Sequence, residues 1–406
     1  KVCGKQFSKL LSSQQVQAEA DRVWCGVERC LFGNGKELHF KKLMDFDTIG
    51  GKSNKNGARF DLDAMYVNWL GLSLKCYLPK SENSLSYVWE SLKGKISYCN
   101  IKRLMFSSGW RYYAEIVVSG AAPTRVSIGT STMGIDPGVS TIAGVSEDAC
   151  VLEELAPNAI QYEKKIQKIS QRMDRSRRIS NPNKYNEDGT INRSNRDPWK
   201  YSKNYVKMCR LLKSLYRKKH AYIVDSHREL CNKLITIARY FPVEKMHFQA
   251  LQKRAKETKR QEKKTEVKQK DGTVKVIQKY KRKKRFGRSI NRRAPARFLL
   301  ELKRKAEAVG GVYAEVDTKE FKASQYNHVT DTYEKIPLSQ REKEIGKRKV
   351  QRDLYSAFLI RNADLDFKHP DREKCEYEFE HFADMQDQLI LKMKESGLSM
   401  RQCFGF

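Results

Sequence analysis

The chain has 406 residues, enough for two or three domains, and 39% of them are hydrophobic, so a packed core is expected. Lysine and arginine number 80 against 48 acidic residues, a formal net charge of +32 that favours a polyanionic partner, above all nucleic acid. No apolar run of about 18 residues could span a bilayer and no signal peptide is recognisable, which argues against a membrane protein.

Ten cysteines are scattered along the chain, and none forms a Cys-x-x-Cys pair. Zinc ribbons need closely paired thiolates, so the signal for a structural zinc site is missing. We interpret the cysteines as reduced, buried thiols of an intracellular, cytoplasmic protein.

The first predicted elements are a helix within residues 5–40 and antiparallel strands between residues 41 and 130. The helix follows from apolar residues at three- and four-residue spacing, and the strands follow from alternating apolar and polar residues. The aromatic residues of these strands are candidates either for stacking on bases or for the core: Trp69, Trp110, Tyr112 and Tyr113.

The stretch TMGIDPGVST, residues 132–141, places Asp136 at the end of a short apolar strand that Pro137 and Gly138 interrupt. An unpaired buried carboxylate is costly. The turn therefore has to hydrogen-bond Asp136, or the carboxylate awaits a cation.

Two long helices are predicted next, at about 157–180 and 200–236, each with an apolar face and a basic face. The stretch YFPVEKM follows as a short buried strand with Glu244 near its end. Residues 252–297 then carry 20 lysines and arginines against four acids. A block this charged does not fold alone, and we interpret it as a flexible or hairpin-like arm.

The last predicted elements are a helix from Ala294, a strand at 312–321, a polar loop at 322–350, a helix with Asp353 in its first turn, and a helix at 371–395. Within the loop, His328, Asp331 and Glu334 are expected to be surface residues.

Three acids thus occupy comparable places: Asp136 and Glu244 end strands, and Asp353 opens a helix. Adjacent strand ends and a helix start can bring them to one point, where they would repel one another unless cations intervene. Two Mg²⁺ ions, which prefer oxygen ligands, would relieve the repulsion and support in-line hydrolysis of a phosphodiester. The alternative makes Asp136 a turn residue, Glu244 an arginine partner and Asp353 a helix N-terminal acid.

The segments GIDPGVSTIAGVS, VEKMHFQALQKRAK and QRDLYSAFLI occur in this order. Together they resemble the three parts of the split RuvC-type nuclease of the TnpB family, transposon-encoded RNA-guided nucleases related to the type V CRISPR effectors. The resemblance covers residues 36–375 and matches Asp136, Glu244 and Asp353 with the family's three catalytic, metal-binding acids. It departs in one respect, because residues 321–352 lack the cysteines of the family's zinc ribbon.

The resemblance implies an α/β and β multidomain protein with an RNase H-like RuvC nuclease core, a β-barrel wedge domain and an N-terminal helical recognition segment. The implied domains are a recognition segment (1–40), a wedge domain (41–130), a nuclease core (131–320) with the basic arm (252–297), a target-nucleic-acid-binding loop (321–352), a last nuclease segment (353–370) and a C-terminal helix and tail (371–406).

The implied function is RNA-guided, Mg²⁺-dependent DNA cleavage with two metal ions, for which Mn²⁺ is the expected substitute, and without structural zinc. The implied partners are a guide RNA, from a transposon end or a CRISPR array, and target double-stranded DNA next to a short motif. The candidate nucleic-acid contacts are Lys52, Lys55, Arg59, Arg175, Arg177, Arg178, Lys283, Arg285 and Arg288. Three alternatives stay open: a guide-directed binding protein without cleavage, an RNA-independent transposase or junction nuclease, and a structural RNA-binding protein.

Overall fold

The computed structural model describes residues 10–33, 35, 37–41, 45–252, 260–268, 273–280, 286–337 and 339–403. The chain divides into a first unit, residues 1–123 and 165–218, and a second unit, residues 124–164 and 219–406. In the described part, the helices are α1 (Ser13–Leu31), α2 (Glu82–Leu92), α3 (Ala159–Ser180), α4 (Lys203–Ile237), α5 (Phe248–Gln252), α6 (Gly287–Arg293), α7 (Pro295–Ala308), α8 (Thr318–Phe321), α9 (Arg352–Arg361), α10 (Arg372–Glu395) and α11 (Met400–Cys403).

The strands lie in six separate sheets within the described residues. They are β1 (Thr48–Gly50), β2 (Arg59–Asp61), β3 (Tyr66–Trp69), β4 (Leu72–Lys75), β5 (Ile96–Phe106), β6 (Gly109–Val118), β7 (Ser131–Thr132), β8 (Gly134–Pro137), β9 (Thr141–Val145), β10 (Cys150–Glu154), β11 (Ala238–Glu244), β12 (Arg260–Lys268), β13 (Val274–Tyr280), β14 (Val312–Val316), β15 (Tyr326–Asn327), β16 (Thr332–Tyr333), β17 (Glu342–Ile345) and β18 (Arg348–Gln351).

The first unit contains two three-stranded antiparallel sheets, in the orders β1-β5-β6 and β2-β3-β4. The prediction of a β-barrel is therefore wrong for the described residues of this region. A barrel requires every strand edge to pair with a neighbour. Here β2, β3 and β4 have only three or four residues each, and the next segment forms helix α2 instead of a strand.

The second unit is built on a sheet with the order β10-β9-β8-β11-β14. Strands β8, β9 and β10 form an antiparallel meander, whereas β11 runs parallel to both β8 and β14. Strand β7 pairs with β11 ahead of β8. The connections from β10 to β11 and from β11 to β14 are long and contain helices, as parallel pairing requires.

Helices pack on both faces of this sheet, and alternating strand residues face each layer. On one face, the apolar cluster contains Ile135, Ile142 and Phe241 of the strands together with residues of α4 and α7. On the other face, Ala143 and residues of β9, β10 and β14 pack against α9 and α10. Helix α9 is buried along nearly its whole length, as its apolar sequence predicts.

The predicted long helices are confirmed as α3 and α4, and the helix expected at 371–395 is confirmed as α10. The basic arm pairs β12 with β13 as a hairpin. Residues 287–297 of the arm belong to α6 and the start of α7, whereas residues 253–259, 269–272 and 281–285 lie outside the described part. The nine cysteines of the described residues are free thiols. None of the helices described here is long and apolar enough to cross a membrane.

Candidate active site

Strands β8 and β11 place Asp136 and Glu244 side by side. Ile135 of β8 pairs with Val243 of β11 in parallel register, so the next residue of each strand projects to the opposite face. Ile135 and Val243 both belong to the apolar cluster under α4 and α7. The two carboxylates therefore lie on the face that α9 covers, with Glu244 buried and Asp136 half-buried.

Asp353 reaches the same face from the first turn of α9. The Gln351 side chain caps this helix, and the helix dipole favours an acid in the first turn. Gly134 of β8 allows α9 to lie directly on the strand, because a Cβ there would be 2.2 Å from the Ala357 oxygen and 2.3 Å from the Arg361 nitrogen. This close approach brings the start of α9 to the ends of β8 and β11.

The electrostatics of Asp136 and Glu244 show how closely the acids lie. Burial raises the pKa of Asp136 well above its usual range, and the charges of Glu244 and Asp353 raise it further. Burial also raises the pKa of Glu244, against the opposing effect of its hydrogen bond with Asp136. The hydrogen bond between the two side chains requires a proton, so the pair shares one proton and carries a single negative charge.

Two guanidinium groups cover Asp353. Arg352 donates from Nη2 and Nε to Oδ1, at 2.9 and 3.1 Å, and Arg341 donates from Nη1 to Oδ2 at 3.5 Å. Arg352 also donates from Nη1 to the Gln340 carbonyl oxygen at 3.3 Å. The sequence analysis missed both arginines. The adjacency of Arg352 to Asp353 was the one available signal, and the Arg341 contact depends on the β17–β18 hairpin.

The donor types fit a divalent cation, because three carboxylates converge and two of them share a proton that a cation could replace. Their arrangement is not yet a coordination shell. Among the described residues, no group of three or more His, Cys, Asp or Glu side chains is placed to hold a metal ion. Both oxygens of Asp353 are engaged by guanidinium groups.

The turn that follows Asp136 is held by α6. Ser289 Oγ lies 3.3 Å from Ser140 Oγ and donates to the Val139 carbonyl oxygen at 3.4 Å. Arg293 Nη1 in turn donates to Ser289 Oγ at 3.3 Å. The segment after the basic arm therefore supports the turn next to the first acid, a role that the sequence analysis did not assign.

The cysteine-free segment 321–352 is organised around buried aromatic rings. His328 is 1% exposed, its Nδ1 lies 2.8 Å from Tyr355 Oη, and its ring packs among aromatic rings of α9 and α10. Burial lowers the pKa of His328 to about 4, so the ring is neutral. The prediction that His328 is a surface residue is therefore wrong, because the ring fills the core beside α9. Asp331 and Glu334 are exposed, as expected.

The predicted nucleic-acid contacts differ in their environments. Lys283 and Arg285 lie outside the described residues. Arg177 is half-buried, and Lys52 is exposed but pairs with Asp21 at 2.6 Å. The other candidates are exposed: Lys55, Arg59, Arg175, Arg178 and Arg288. Of the aromatic candidates, Tyr112 and Tyr113 are exposed, whereas Trp69 and Trp110 are half-buried.

Arg177 and Arg178 belong to a group of charged and aromatic side chains in the first unit, which we call the 174–205 cluster. Its members are Asp174, Arg177, Arg178, Lys184, Tyr185, Trp199, Tyr201 and Tyr205. Asp174 pairs with Arg177 at 2.9 Å and with Arg178 at 2.7 Å. Arg177 lies over the Trp199 ring and Arg178 over the Tyr185 ring, at 5.4 and 4.6 Å from the centroids. The cluster thus holds three cations against the acid Asp174, and aromatic rings supply further contacts to each cation.

No protein-family model matches the chain, and no curated protein sequence matches it. Among solved structures, the chain is similar to one in the cryo-EM structure of a CRISPR-Cas12f ternary complex, with 13% sequence identity and a TM-score of 0.29. The alignment covers 91% of this chain and 73% of that chain. At this TM-score the likeness leaves the fold unassigned, so any functional assignment has to come from the carboxylates and their surroundings.

Proposed function

We propose that this protein is an RNA-guided DNA endonuclease whose Asp136, Glu244 and Asp353 hold two Mg²⁺ ions. The observation that carries the proposal is the convergence of these three acids from segments about one hundred residues apart on one face of the sheet. A fold gains no stability from gathering buried like charges, and such gathering is typical of functional sites.

The sheet supports an RNase H-like nuclease core of the RuvC type. A three-stranded antiparallel meander is extended by two parallel strands, and Asp136 and Glu244 stand at the carboxyl ends of β8 and β11. The resemblance of the three segments to the TnpB family agrees with this arrangement. It is that resemblance, not the fold, that points to a guide RNA.

The roles follow from the positions of the acids. Asp136 and Asp353 would bind the metal ions most directly. Glu244 would complete the set of carboxylate ligands and would orient a water molecule by accepting a hydrogen bond from it. Divalent ions bound there would lower the pKa of a water molecule and stabilise the leaving oxygen of a phosphodiester. Arg352 is 8% exposed and anchored to Gln340, and it would keep the start of α9 in place.

The experiment that tests the nuclease assignment compares three variants, Asp136→Ala, Glu244→Ala and Asp353→Ala, with Glu315→Gln. Glu315 lies on the neighbouring strand β14 and pairs with Val243, so its side chain projects to the face opposite Glu244. We expect the three alanine variants to lose DNA cleavage and to retain RNA and target binding. Cleavage by Asp136→Ala at the rate of the unmodified chain would remove the site from the mechanism.

The guide RNA is tested separately by sequencing the RNA that copurifies with the protein. We expect one RNA with a defined fold, because 80 basic residues make a large, diffuse positive surface that suits a folded polyanion. A preparation free of nucleic acid that still cuts DNA at full rate would favour an RNA-independent transposase or junction nuclease. Intact guided binding without any cleavage would favour a binding protein.

A further inference from the structure

The two arginines on Asp353 are held very differently. Arg352 contacts Oδ1 with two nitrogens at 2.9 and 3.1 Å, and its side chain is 10% exposed. Arg341 contacts Oδ2 at 3.5 Å, and its side chain is 29% exposed. A longer, more exposed contact is weaker and easier to exchange. Of the two guanidinium groups, Arg341 is therefore the one that can leave Asp353.

Arg341 also lines a groove of about 1050 Å³ in the second unit. The groove is bordered by hydroxyl and amide side chains of the β15–β18 region, and its basic side chains outnumber its acids by four to three. The basic ones are Lys335, Arg341, Lys343 and Lys349, and the acids are Glu334, Glu342 and Glu344. Hydroxyl, amide and ammonium groups are the donors that bind a nucleic-acid backbone. The Arg341 guanidinium thus contacts Asp353, and the same side chain lines a groove whose hydroxyl, amide and ammonium groups can donate hydrogen bonds to phosphate.

We propose that Arg341 is a displaceable cover on Asp353, and that a backbone phosphate of nucleic acid entering the groove draws the guanidinium away and frees Oδ2 for a metal ion. A guanidinium binds phosphate with two parallel hydrogen bonds, which is stronger than a 3.5 Å hydrogen bond to a carboxylate oxygen. The site then binds metal tightly only when nucleic acid is present. The inference rests on the proposed function and adds a regulation to it.

The cover also limits how Asp353 can bind a cation, because both of its carboxylate oxygens accept hydrogen bonds from guanidinium groups. When no nucleic acid occupies the groove, a cation that binds Asp353 must itself displace the Arg341 guanidinium, and this displacement lowers the metal affinity. When a phosphate binds the Arg341 guanidinium, Asp353 Oδ2 no longer accepts its hydrogen bond, and the cation can bind that oxygen. Metal affinity and nucleic-acid affinity are then coupled, and each raises the other by the same factor.

The test uses Fe²⁺ in place of Mg²⁺. With ascorbate and peroxide, a bound Fe²⁺ ion generates hydroxyl radicals that cut the polypeptide next to the site, so mass spectrometry of fragments ending near residues 136, 244 and 353 reports occupancy without measuring nuclease activity. The purified full-length protein, with any RNA it carries, is titrated with Fe²⁺ in the absence and presence of single-stranded DNA. We expect the half-maximal Fe²⁺ concentration to fall at least about tenfold with DNA, a coupling of about 1.4 kcal/mol.

In Arg341→Ala, we expect the low half-maximal concentration without DNA and no further effect of DNA. Arg341→Lys keeps the positive charge but loses the paired donors of the guanidinium. Its half-maximal Fe²⁺ concentration without DNA should lie between those of Arg341→Ala and the unmodified chain. Lys347→Ala serves as the matched control, because Lys347 is exposed between β17 and β18, does not line the groove, and should leave the Fe²⁺ titration as in the unmodified chain.

An Arg341→Ala variant that needs as much Fe²⁺ as the unmodified chain would overturn the cover, provided that Asp353→Asn abolishes the fragments. If Asp353→Asn leaves the fragments unchanged, the metal assignment fails instead. Should Arg341→Ala not fold, Arg341→Lys decides, because a half-maximal concentration equal to that of the unmodified chain contradicts the proposal.

Discussion

The carboxylate site of the second unit and the 174–205 cluster of the first unit are both dense groups of charged side chains, but their contacts differ. The cluster pairs its arginines with an acid and with aromatic rings, whereas the site brings two carboxyl groups into contact. In the cluster, Asp174 pairs with two arginines, and those arginines stack on aromatic rings. At the carboxylate site, Asp136 and Glu244 share one proton, and burial raises the pKa of both.

The difference teaches how to separate function from stability among charged residues. A charge with a full set of partners stabilises its surroundings, and its presence in a basic protein says little about nucleic acid. Buried like charges destabilise the fold, so a cluster of such charges indicates a site that binds a ligand. Each of the following predictions tests one side of this comparison.

The largest effect is expected from Gly134→Ala, which would break the carboxylate site without changing a charge. The new Cβ would meet the α9 backbone at 2.2 Å, and backbone cannot yield as a flexible side chain can. We expect the free energy of unfolding to fall by about 3 kcal/mol or more, and DNA cleavage to be lost. Urea unfolding with a cleavage assay measures both.

Gly144→Ala is the matched control for this change, since Gly144 lies on the neighbouring strand β9. Its Cβ would meet the flexible Met133 Sδ at 3.1 Å. We expect a loss of less than about 1 kcal/mol and nearly normal cleavage. Equal losses in the two variants would show that the approach of α9 to β8 is not what positions Asp353.

The next effect concerns the 174–205 cluster, where Arg177→Ala is compared with Arg175→Ala. Arg177 pairs with Asp174 and lies over Trp199, whereas Arg175 is exposed on the same helix. We expect Arg177→Ala to lower the free energy of unfolding by about 1–2 kcal/mol through the lost ion pair and cation–π contact. Arg175→Ala should leave stability unchanged.

The salt dependence of RNA binding separates the two arginines further. An arginine that contacts a phosphate contributes about 0.7–0.9 to the slope of log affinity against log salt concentration. We expect Arg175→Ala to reduce the slope by this amount and Arg177→Ala to leave it nearly unchanged. The reverse result would make the cluster a nucleic-acid contact and remove the contrast with the carboxylate site.

The convergence of the three acids could be anticipated because each one stands where a local pattern ends, but their choice among 48 acidic residues depended on the resemblance to the TnpB family. Asp136 follows an apolar run and precedes Pro137, Glu244 closes another apolar run, and Asp353 opens a helix of small and apolar residues. These signals are local, and the parallel register of β8 and β11 brings the ends together. The long helices were predictable for the same reason, since their periodicity is strong.

The surroundings of the acids were not predictable, because they depend on contacts between distant segments. Arg341 reaches Asp353 only after β17 and β18 pair, and nothing in its neighbourhood distinguishes it from other basic residues. His328 lies in a polar stretch, yet its ring enters the core beside Tyr355. The prediction of a β-barrel was wrong because alternating apolar and polar residues predict strands but not which strand edges pair.

A smaller effect, of opposite sign, is expected from Asp136→Asn. The amide keeps a donor for Glu244 and removes one of the buried carboxyl groups, so we expect the metal-free protein near neutral pH to gain about 1 kcal/mol and to lose cleavage. That corresponds to a rise in melting temperature of about 2–4 °C. A drop in melting temperature would show that the Asp136 carboxyl stabilises the fold.

The change in melting temperature with pH is a further test of the role of the Asp136 carboxyl group. Burial and the neighbouring acids raise the pKa of Asp136 in the folded state, so the folded protein binds a proton more tightly than the unfolded chain does. The resulting stability is fully present below the unfolded pKa and is lost as pH rises through the folded pKa. We expect the melting temperature of the unmodified chain to fall across this interval, and that of Asp136→Asn to fall less.

The smallest effect is expected from Lys52→Ala. The ammonium group pairs with Asp21 at 2.6 Å, but the two side chains are 42% and 60% exposed, so solvent and salt screen the pair. We expect the free energy of unfolding to change by less than about 0.5 kcal/mol, measured by urea unfolding at low and high salt. RNA affinity that falls with this variant but not with Asp21→Asn would show that Lys52 exchanges its acid for a phosphate. Equal, small changes in both variants would show that Lys52 and Asp21 form a solvated ion pair, with less effect on stability than the Asp174 pairs of the 174–205 cluster.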